Sequence, residues 1–327
     1  MAAPRDNLAK FFDEYTLTGE KLGGDLNGAI YGCVDRRNKK FVVKVIIAIR
    51  KMYEEGLLIQ RALSDYCPNV TPIRALYYLT TKTAGIDAFS AHVKVFASYP
   101  KDDVILAVLP RASEGDLGDV SLARPLGLRT IKDSVRIFAQ VAEAVNAIHT
   151  RGFVHCDIKV QNVLVHRTKQ GRLQASLNDF DFACKIGEPV YIGRNSHSGP
   201  EFLQAERTYH RLSASPWQDV WAMGIMLYII FTGNLPIEFY PHDDTNREAA
   251  WRKMTYSAEF VYPEVLTADQ TSLLKMMLTR DWFERPTMAA VLQHPLILEC
   301  TRKPLPPPSR LAVLTQYYDE ADELMQE

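Results

Sequence analysis

The chain has 327 residues, 47% hydrophobic and 24% charged, enough apolar content to bury one or two substantial cores. Its net charge of -1 supplies no global field toward nucleic acid or an anionic membrane surface, so neither is expected as a partner. The five cysteines (Cys33, Cys67, Cys156, Cys184 and Cys300) are odd in number, scattered and without a C-x-x-C pair. That speaks against a disulfide framework or a zinc site and for a reducing compartment.

The opening MAAPRDNLAK carries Arg5, Asp6 and Lys10 and lacks the apolar stretch of a signal peptide. A cytoplasmic location is therefore expected, with delivery into another cell left open. Residues 1–14 read as a helical lead-in whose Phe11 and Phe12 can dock on the first sheet. From Tyr15 the pattern is strand-like until Leu22-Gly23-Gly24-Asp25-Leu26-Asn27-Gly28-Ala29-Ile30. Glycines there would let the backbone approach a polyphosphate with no side chain in the way, and a plain glycine-rich hairpin fits the same residues. Asp35 to Lys40 is a charged turn, read as a solvated hairpin tip. Phe41 to Ile47 is apolar apart from Lys44, and a buried ammonium needs a partner. The next helix, Arg50 to Leu63, offers two carboxylates. Glu55 shares a face with Met52, Ile59 and Leu63, and Glu54 with Leu57, Leu58 and Ala62, so periodicity does not choose between them.

Cys67-Pro68-Asn69 marks a turn. Strands are expected around Ile73–Thr80, His92–Ser98 and Val104–Leu109, with Thr81–Ser90 as an exposed loop. Leu109 to Leu117 shifts in composition from strand to helix and reads as a linker. Thr130–Thr150 places Ile131, Val135, Phe138, Val141, Val145 and Ile148 at the spacing of an amphipathic helix and stops at the C-cap signal Arg151-Gly152. Val220 to Phe231 is too short to span a bilayer and reads as a buried helix, so no membrane span is expected. Lys303 to Pro308 is an extended linker. The acidic tail from Arg310 reads as a helix with Leu311, Leu314, Tyr318, Ala321 and Met325 on one face, available to its own chain or to a partner.

The chemistry concentrates in His155-Cys156-Asp157-Ile158-Lys159-Val160-Gln161-Asn162, followed by Asn178-Asp179-Phe180-Asp181. The apolar Phe153-Val154 and the strand-like Val163-Leu164-Val165 bracket the first string, so its polar residues sit on a loop held between buried segments. Asp157 can accept a proton from a hydroxyl nucleophile, and Lys159 can neutralise a transferring phosphoryl group. Asn162 and Asp179 offer hard oxygen ligands to Mg²⁺. His155 is expected to pack and hydrogen-bond within the loop, and His166 to be exposed at a strand end.

These strings resemble the catalytic loop H-R-D-x-K-x-x-N and the D-F-G motif of the eukaryotic-type protein kinases, with Cys156 for the arginine and Asp181 for the glycine. The likeness extends in order along residues 15–298. It takes in Gly23 and Gly28 of a G-x-G-x-x-G-like run with Asp25 at its second glycine, and Lys44 at a V-A-x-K-like lysine. It also takes in Gly193 to Glu201, Asp219-Val220-Trp221 and Arg285-Pro286-Thr287. Arg194 stands where a threonine is usual.

The resemblance implies an α+β, bilobal fold: a small lobe of five strands plus one helix, and a larger, mainly helical lobe. The implied divisions are an N-terminal extension over 1–14, a small lobe over 15–109, a hinge over 110–117, a large lobe over 118–300 and a tail over 301–327. It implies ATP and Mg²⁺ as cofactors, and transfer of the γ-phosphoryl group to a Ser/Thr hydroxyl of a protein substrate, since Lys159 of D-x-K favours serine or threonine over tyrosine. Asp157, Lys159, Lys44 and its partner Glu55 would be catalytic, and Asn162 and Asp179 would hold the metal. Leu22, Gly23, Gly28, Ile30, Lys44, Leu109, Pro110, Ala112, Asp116 and Leu164 would contact the nucleotide. Pro110 would offer only its carbonyl and Ala112 its N–H. Asp219 would brace the catalytic loop and Arg285 would pair with Glu201. Cys156 implies that no phosphate on the activation segment is needed to order it. Asp181 is expected to point away from the metal. Two other readings follow from the departures: a pseudokinase used as a binding or scaffold module, and a small-molecule kinase of the aminoglycoside or choline type.

Overall fold

The computed structural model describes residues 8–25, 28–47, 51–80, 83, 89, 104–119, 130–190, 197–207, 212–236 and 262–301. The chain divides into two units, with one boundary between residues 111 and 112 and residues 67–70 belonging to the second. Expected features at Leu26 and Asn27, His92–Ser98, Arg194, the Pro-rich linker and the acidic tail lie outside the described residues.

The first unit runs α1 (Leu8–Glu14), β1 (Tyr15–Asp25), β2 (Gly28–Asp35), β3 (Lys40–Ile47), α2 (Lys51–Ser64), β4 (Ala75–Leu79) and β5 (Val104–Pro110). Its strands form one antiparallel sheet in the order β1-β2-β3-β5-β4. The period of two sorts β3 between the faces. Phe41, Val43 and Val45 join Tyr31, Tyr77, Leu106 and Val108 beneath Leu8 and Phe11 of α1. Val42 and Ile46 face the other way, with Ile105, Ala107 and Leu109, beneath Tyr53 and Leu57 of α2. Lys44 lies between Val42 and Ile46, so it belongs to the face that α2 covers.

Of the two lead-in aromatics, Phe11 is wholly buried while Phe12 is largely exposed, touching Phe89 with its edge. The segment expected as an exposed loop, Thr81–Ser90, departs from expectation where it is described: Thr83 and Phe89 are both buried. Thr83 Oγ1 accepts a hydrogen bond from Thr80 N at 2.9 Å, and Phe89 packs into the aromatic group around Phe11. The charged turn is a hairpin tip as expected. Asp35 Oδ1 accepts from the backbone N–H groups of Arg37 and Lys39, both at 2.9 Å.

The second unit contains β6 (Gly115–Asp116), α3 (Ile131–His149), β7 (Phe153–Val154), β8 (Val163–Arg167), β9 (Leu173–Leu177) and β10 (Cys184–Lys185). It continues through α4 (Pro200–Arg207), α5 (Pro216–Thr232), α6 (Ala268–Met277), α7 (Met288–Val291) and α8 (Pro295–Thr301). Thr130 caps α3 by accepting from Asp133 N at 3.1 Å. The buried stripe of α3 runs from Val135 to Ile148 and packs on β9, α5, α7 and α8. Ile131, expected on that stripe, is exposed because it precedes the packed turns. The apolar run Val220–Ile229 is buried on all sides as the core of α5. No helix among the described residues is long and apolar enough to cross a membrane.

Candidate active site

The loop between β7 and β8 is organised by a carboxylate from a distant helix. Asp219, in the first turn of α5, is almost wholly buried. A buried carboxylate is tolerable only when donors surround it. Its Oδ2 accepts from His155 N at 2.8 Å and pairs with His149 Nε2 at 2.9 Å. Its Oδ1 accepts from Cys156 N at 2.9 Å. Cys156 adopts a left-handed backbone (φ +66°), a conformation that costs a non-glycine residue about 1 kcal/mol or more. The two N–H bonds to Asp219 hold it there.

That turn delivers Asp157 to a protected position. Its Oδ2 accepts from Lys159 Nζ at 2.6 Å and from Asn162 Nδ2 at 2.9 Å. Asn162 Nδ2 also donates to the Asp157 carbonyl at 2.8 Å. Both partners are acceptors, so the amide nitrogen must face them and Oδ1 is left for a cation. His155 is buried, as expected. It accepts from Asp157 N through Nδ1 and so donates through Nε2 to the Asn178 carbonyl at 3.1 Å. Its ring also meets that of buried Phe180 edge-on, with centroids 4.6 Å apart. The loop is thereby tied to Asn178–Asp181, and Asn178 N donates to the Asn162 carbonyl at 2.8 Å.

Asp179 follows directly and is also left-handed (φ +64°). No cluster of three or more His, Cys, Asp or Glu surrounds a common point among the described residues. The donor set that is present, an amide oxygen and a carboxylate on strands of chain hydrogen-bonded to each other, suits Mg²⁺. That ion keeps several waters and takes one or two carboxylates plus substrate phosphates. Asp181 is half-buried.

Downstream, Arg285 and Glu201 form a bidentate pair, with Nη1–Oε1 and Nη2–Oε2 both at 2.8 Å. Their side chains are 0% and 2% exposed. The remaining donors of the guanidinium reach the carbonyls of Thr279, Trp217 and Arg280, and its Cζ lies 4.8 Å from the Trp221 ring centroid. This anchors the start of α4. Just before it, His197 is buried and its imidazole is pushed down to about 4, first by burial and then by the charge of Lys159.

Two expected nucleotide contacts of the second unit are neighbours: Asp116 on β6 pairs in register with Leu164 on β8. Asp116 Oδ1 accepts from Asp119 N at 3.0 Å, and burial raises its carboxyl above the usual range. Ala112 is half-buried at the start of this unit. His166, expected to be exposed, is half-buried on β8, and burial lowers its imidazole below the usual range.

In the first unit, Gly23 pairs with Ile30 and Asp25 with Gly28, so the glycine run is a β hairpin. Gly28 is required by the sheet itself, since a Cβ there would meet the Val45 carbonyl oxygen at 2.4 Å. Leu22 is exposed and Ile30 half-buried. Leu109 pairs with Val42 and Pro110 with Phe41 at the end of β5. Lys44 and Glu55 are both half-buried. Glu54 is the carboxylate that reaches Tyr78 on β4. Burial first, and then the Glu54 charge and hydrogen bond, push that phenol up to about 12. Tyr78 packs with Val42 and Leu76 on the sheet face carrying Lys44, and Glu55 sits a further ~100° around the helix.

Three participants escaped sequence reasoning: His149 on Asp219, His197 near Lys159, and Tyr78 with Glu54. Each depends on residues far apart in the chain, and no local spacing signals it.

A family model described as protein kinase domain matches residues 17–297. Among curated proteins, the chain is 26% identical over 237 residues to the serine/threonine-protein kinase PLK4 of Drosophila melanogaster, covering 70% of this chain and 28% of that one. It is 30% identical over 178 residues to the putative serine/threonine-protein kinase YPL150W of Saccharomyces cerevisiae, covering 53% and 18%. To the probable serine/threonine-protein kinase MARK-A of Dictyostelium discoideum it is 25% identical over 203 residues, covering 62% and 18%. The matches thus span less than a third of the length of each of these relatives.

Proposed function

Because this chain belongs to the protein kinase family, its match to the kinase domain covering residues 17–297, we propose that it transfers the γ-phosphoryl group of ATP to a serine or threonine hydroxyl of a protein. The observation that carries the reading is the Asp157 carboxylate, held by Lys159 at 2.6 Å and Asn162 at 2.9 Å on a loop braced by Asp219. Phosphoryl transfer leaves the protein little covalent work, so positioning and charge do most of it. Asp157 orients the acceptor hydroxyl and takes its proton. Lys159, already bonded to that carboxylate, brings positive charge to the transferring group. Asn162 Oδ1 and Asp179 would hold Mg²⁺, which when bound neutralises phosphate charge. Lys44 serves the phosphates with a carboxylate from α2, Glu55 by sequence spacing and Glu54 by its contact with Tyr78. Asp116, Leu164, Leu109, Pro110 and Ala112 serve the nucleoside, with Leu22, Gly23, Gly28 and Ile30 of the hairpin. The likeness to the named serine/threonine kinases supports the acceptor class.

The test is transfer of labelled γ-phosphate to the protein itself and to generic protein substrates, followed by phosphoamino-acid analysis. Asp157→Asn should lower the rate by about 10²- to 10⁴-fold. Lys44→Met and Asp179→Ala should also lose activity. Parallel Glu54→Gln and Glu55→Gln variants identify the lysine's partner. Nucleotide binding without transfer, unchanged by Asp157→Asn, would make the chain a pseudokinase. Transfer to an aminoalcohol or sugar but not to protein would make it a small-molecule kinase.

A further inference from the structure

Cys156 and Cys184 are far apart in sequence and outside the chemistry described above, yet their sulfurs lie 3.9 Å apart. Both are partly exposed, whereas Cys33, Cys67 and Cys300 are buried. Their carriers are already fastened together: β10 pairs with β7, Cys184 standing opposite Val154, and Ile186 N donates to the Gly152 carbonyl at 2.8 Å. Cys156 is pinned through its N–H to Asp219. The two thiols therefore have little freedom to part. A disulfide needs its sulfurs about 2.05 Å apart, so side-chain rotation plus a modest backbone adjustment would close the gap.

We propose that Cys156 and Cys184 are a site of reversible oxidation, forming a disulfide that ties the Asp157 loop to the segment after Phe180 when hydrogen peroxide is present. Cys184 is the attacking sulfur. Its sulfur–oxygen bond forms as the peroxide O–O bond breaks, giving a sulfenic acid and, after proton uptake, water. Cys156 then attacks that sulfur. The S–S bond forms, the S–O bond breaks, and the departing hydroxide leaves as water with the Cys156 proton. In sum, two thiols are oxidised and one peroxide is reduced to two waters. This division of roles follows from the surroundings of Cys156. Its hydrogen bond with Cys184, then burial, then the charge of Asp219 hold that thiol well above the usual range, so it acts second, as the resolving thiol.

The resulting ring, residues 156–184, encloses Asp157, Lys159, Asn162 and Asp179. The effect on activity rests on the roles proposed for those residues, but the formation of the bond does not. Drawing the Cys156 sulfur toward Cys184 works against the Asp219 brace and shifts the neighbouring Asp157, for a loss of roughly 10- to 100-fold in phosphoryl transfer.

The experiment treats the purified full chain with hydrogen peroxide, alkylates the remaining thiols and maps the cysteines by mass spectrometry, with transfer assayed in parallel. The expected result is one new disulfide joining the Cys156 and Cys184 peptides, with activity falling as it forms and both reversed by dithiothreitol. Cys184→Ser and, independently, Cys156→Ser should form no such link. In each, the ratio of oxidised to reduced activity should stay near one. Peroxide that leaves both thiols open to alkylation, or carries Cys184 on to the sulfinic acid without a cross-link, overturns the proposal. A disulfide that forms without changing activity overturns its regulatory half. If the reduced protein transfers no phosphate, the kinase reading fails while the cysteine map still decides this one.

Discussion

Two arginine–glutamate forks in this chain have nearly the same geometry and opposite surroundings. Arg111 reaches Glu20 with Nη1–Oε2 at 2.6 Å and Nη2–Oε1 at 2.8 Å, and the side chains are 29% and 48% exposed. Arg285 reaches Glu201 at 2.8 Å twice, with both side chains sealed from solvent. Water competes for the first pair and salt screens it, so the short contacts say little about its worth. The second pair has no water to fall back on, and every donor of its guanidinium has a protein acceptor. Distance alone does not rank these interactions; what replaces each partner after it is removed does.

The sharpest test of this contrast removes one half of the buried fork. Arg285→Ala leaves Glu201 buried and uncompensated and should cost about 3–5 kcal/mol in urea unfolding. Arg285→Lys keeps the charge but loses the planar fork, and should recover only part of that loss.

A second test uses protons instead of mutation. His197 is buried and holds its proton only below a pH of about 4, whereas the unfolded chain takes one up near 6.5. Between those values the unfolded state binds more protons, so stability is lost as the pH falls from about 6.5 to 4, by roughly 3 kcal/mol in full. Denaturant titrations across that window should show a shallower pH dependence for His197→Gln than for the parent.

Smaller still should be Asp219→Asn. The side chain keeps one acceptor for the loop but places an NH₂ against a donor, for about 1.5–3 kcal/mol. Phosphoryl transfer should fall with it, because the bonds lost are those that shape the Asp157 turn. The least effect belongs to Arg111→Ala, which should leave the unfolding midpoint unchanged within error at moderate salt. A large loss there would mean that the exposed fork behaves like the buried one, and the comparison would break.

Much of this was legible in the chain itself. The apolar run Phe41–Ile47 announced a strand and singled out Lys44, its one charged residue. Helical spacing with the stop at Arg151-Gly152 announced α3, and the polar string between Phe153 and Val163 announced a loop carrying Asp157, Lys159 and Asn162. Period and capping are local properties, set by neighbours within a few residues, so a sequence can display them.

The folded chain alone decided the rest. Asp219 takes His149 as a partner, Cys184 lies beside Cys156, and Glu54 reaches Tyr78, all across separations that no local pattern encodes. Burial was equally illegible where polarity misled. Thr83 and His166 read as surface residues, yet packing encloses the first wholly and the second in part. Residue type states what a side chain would prefer; only the packing of distant segments states what it receives.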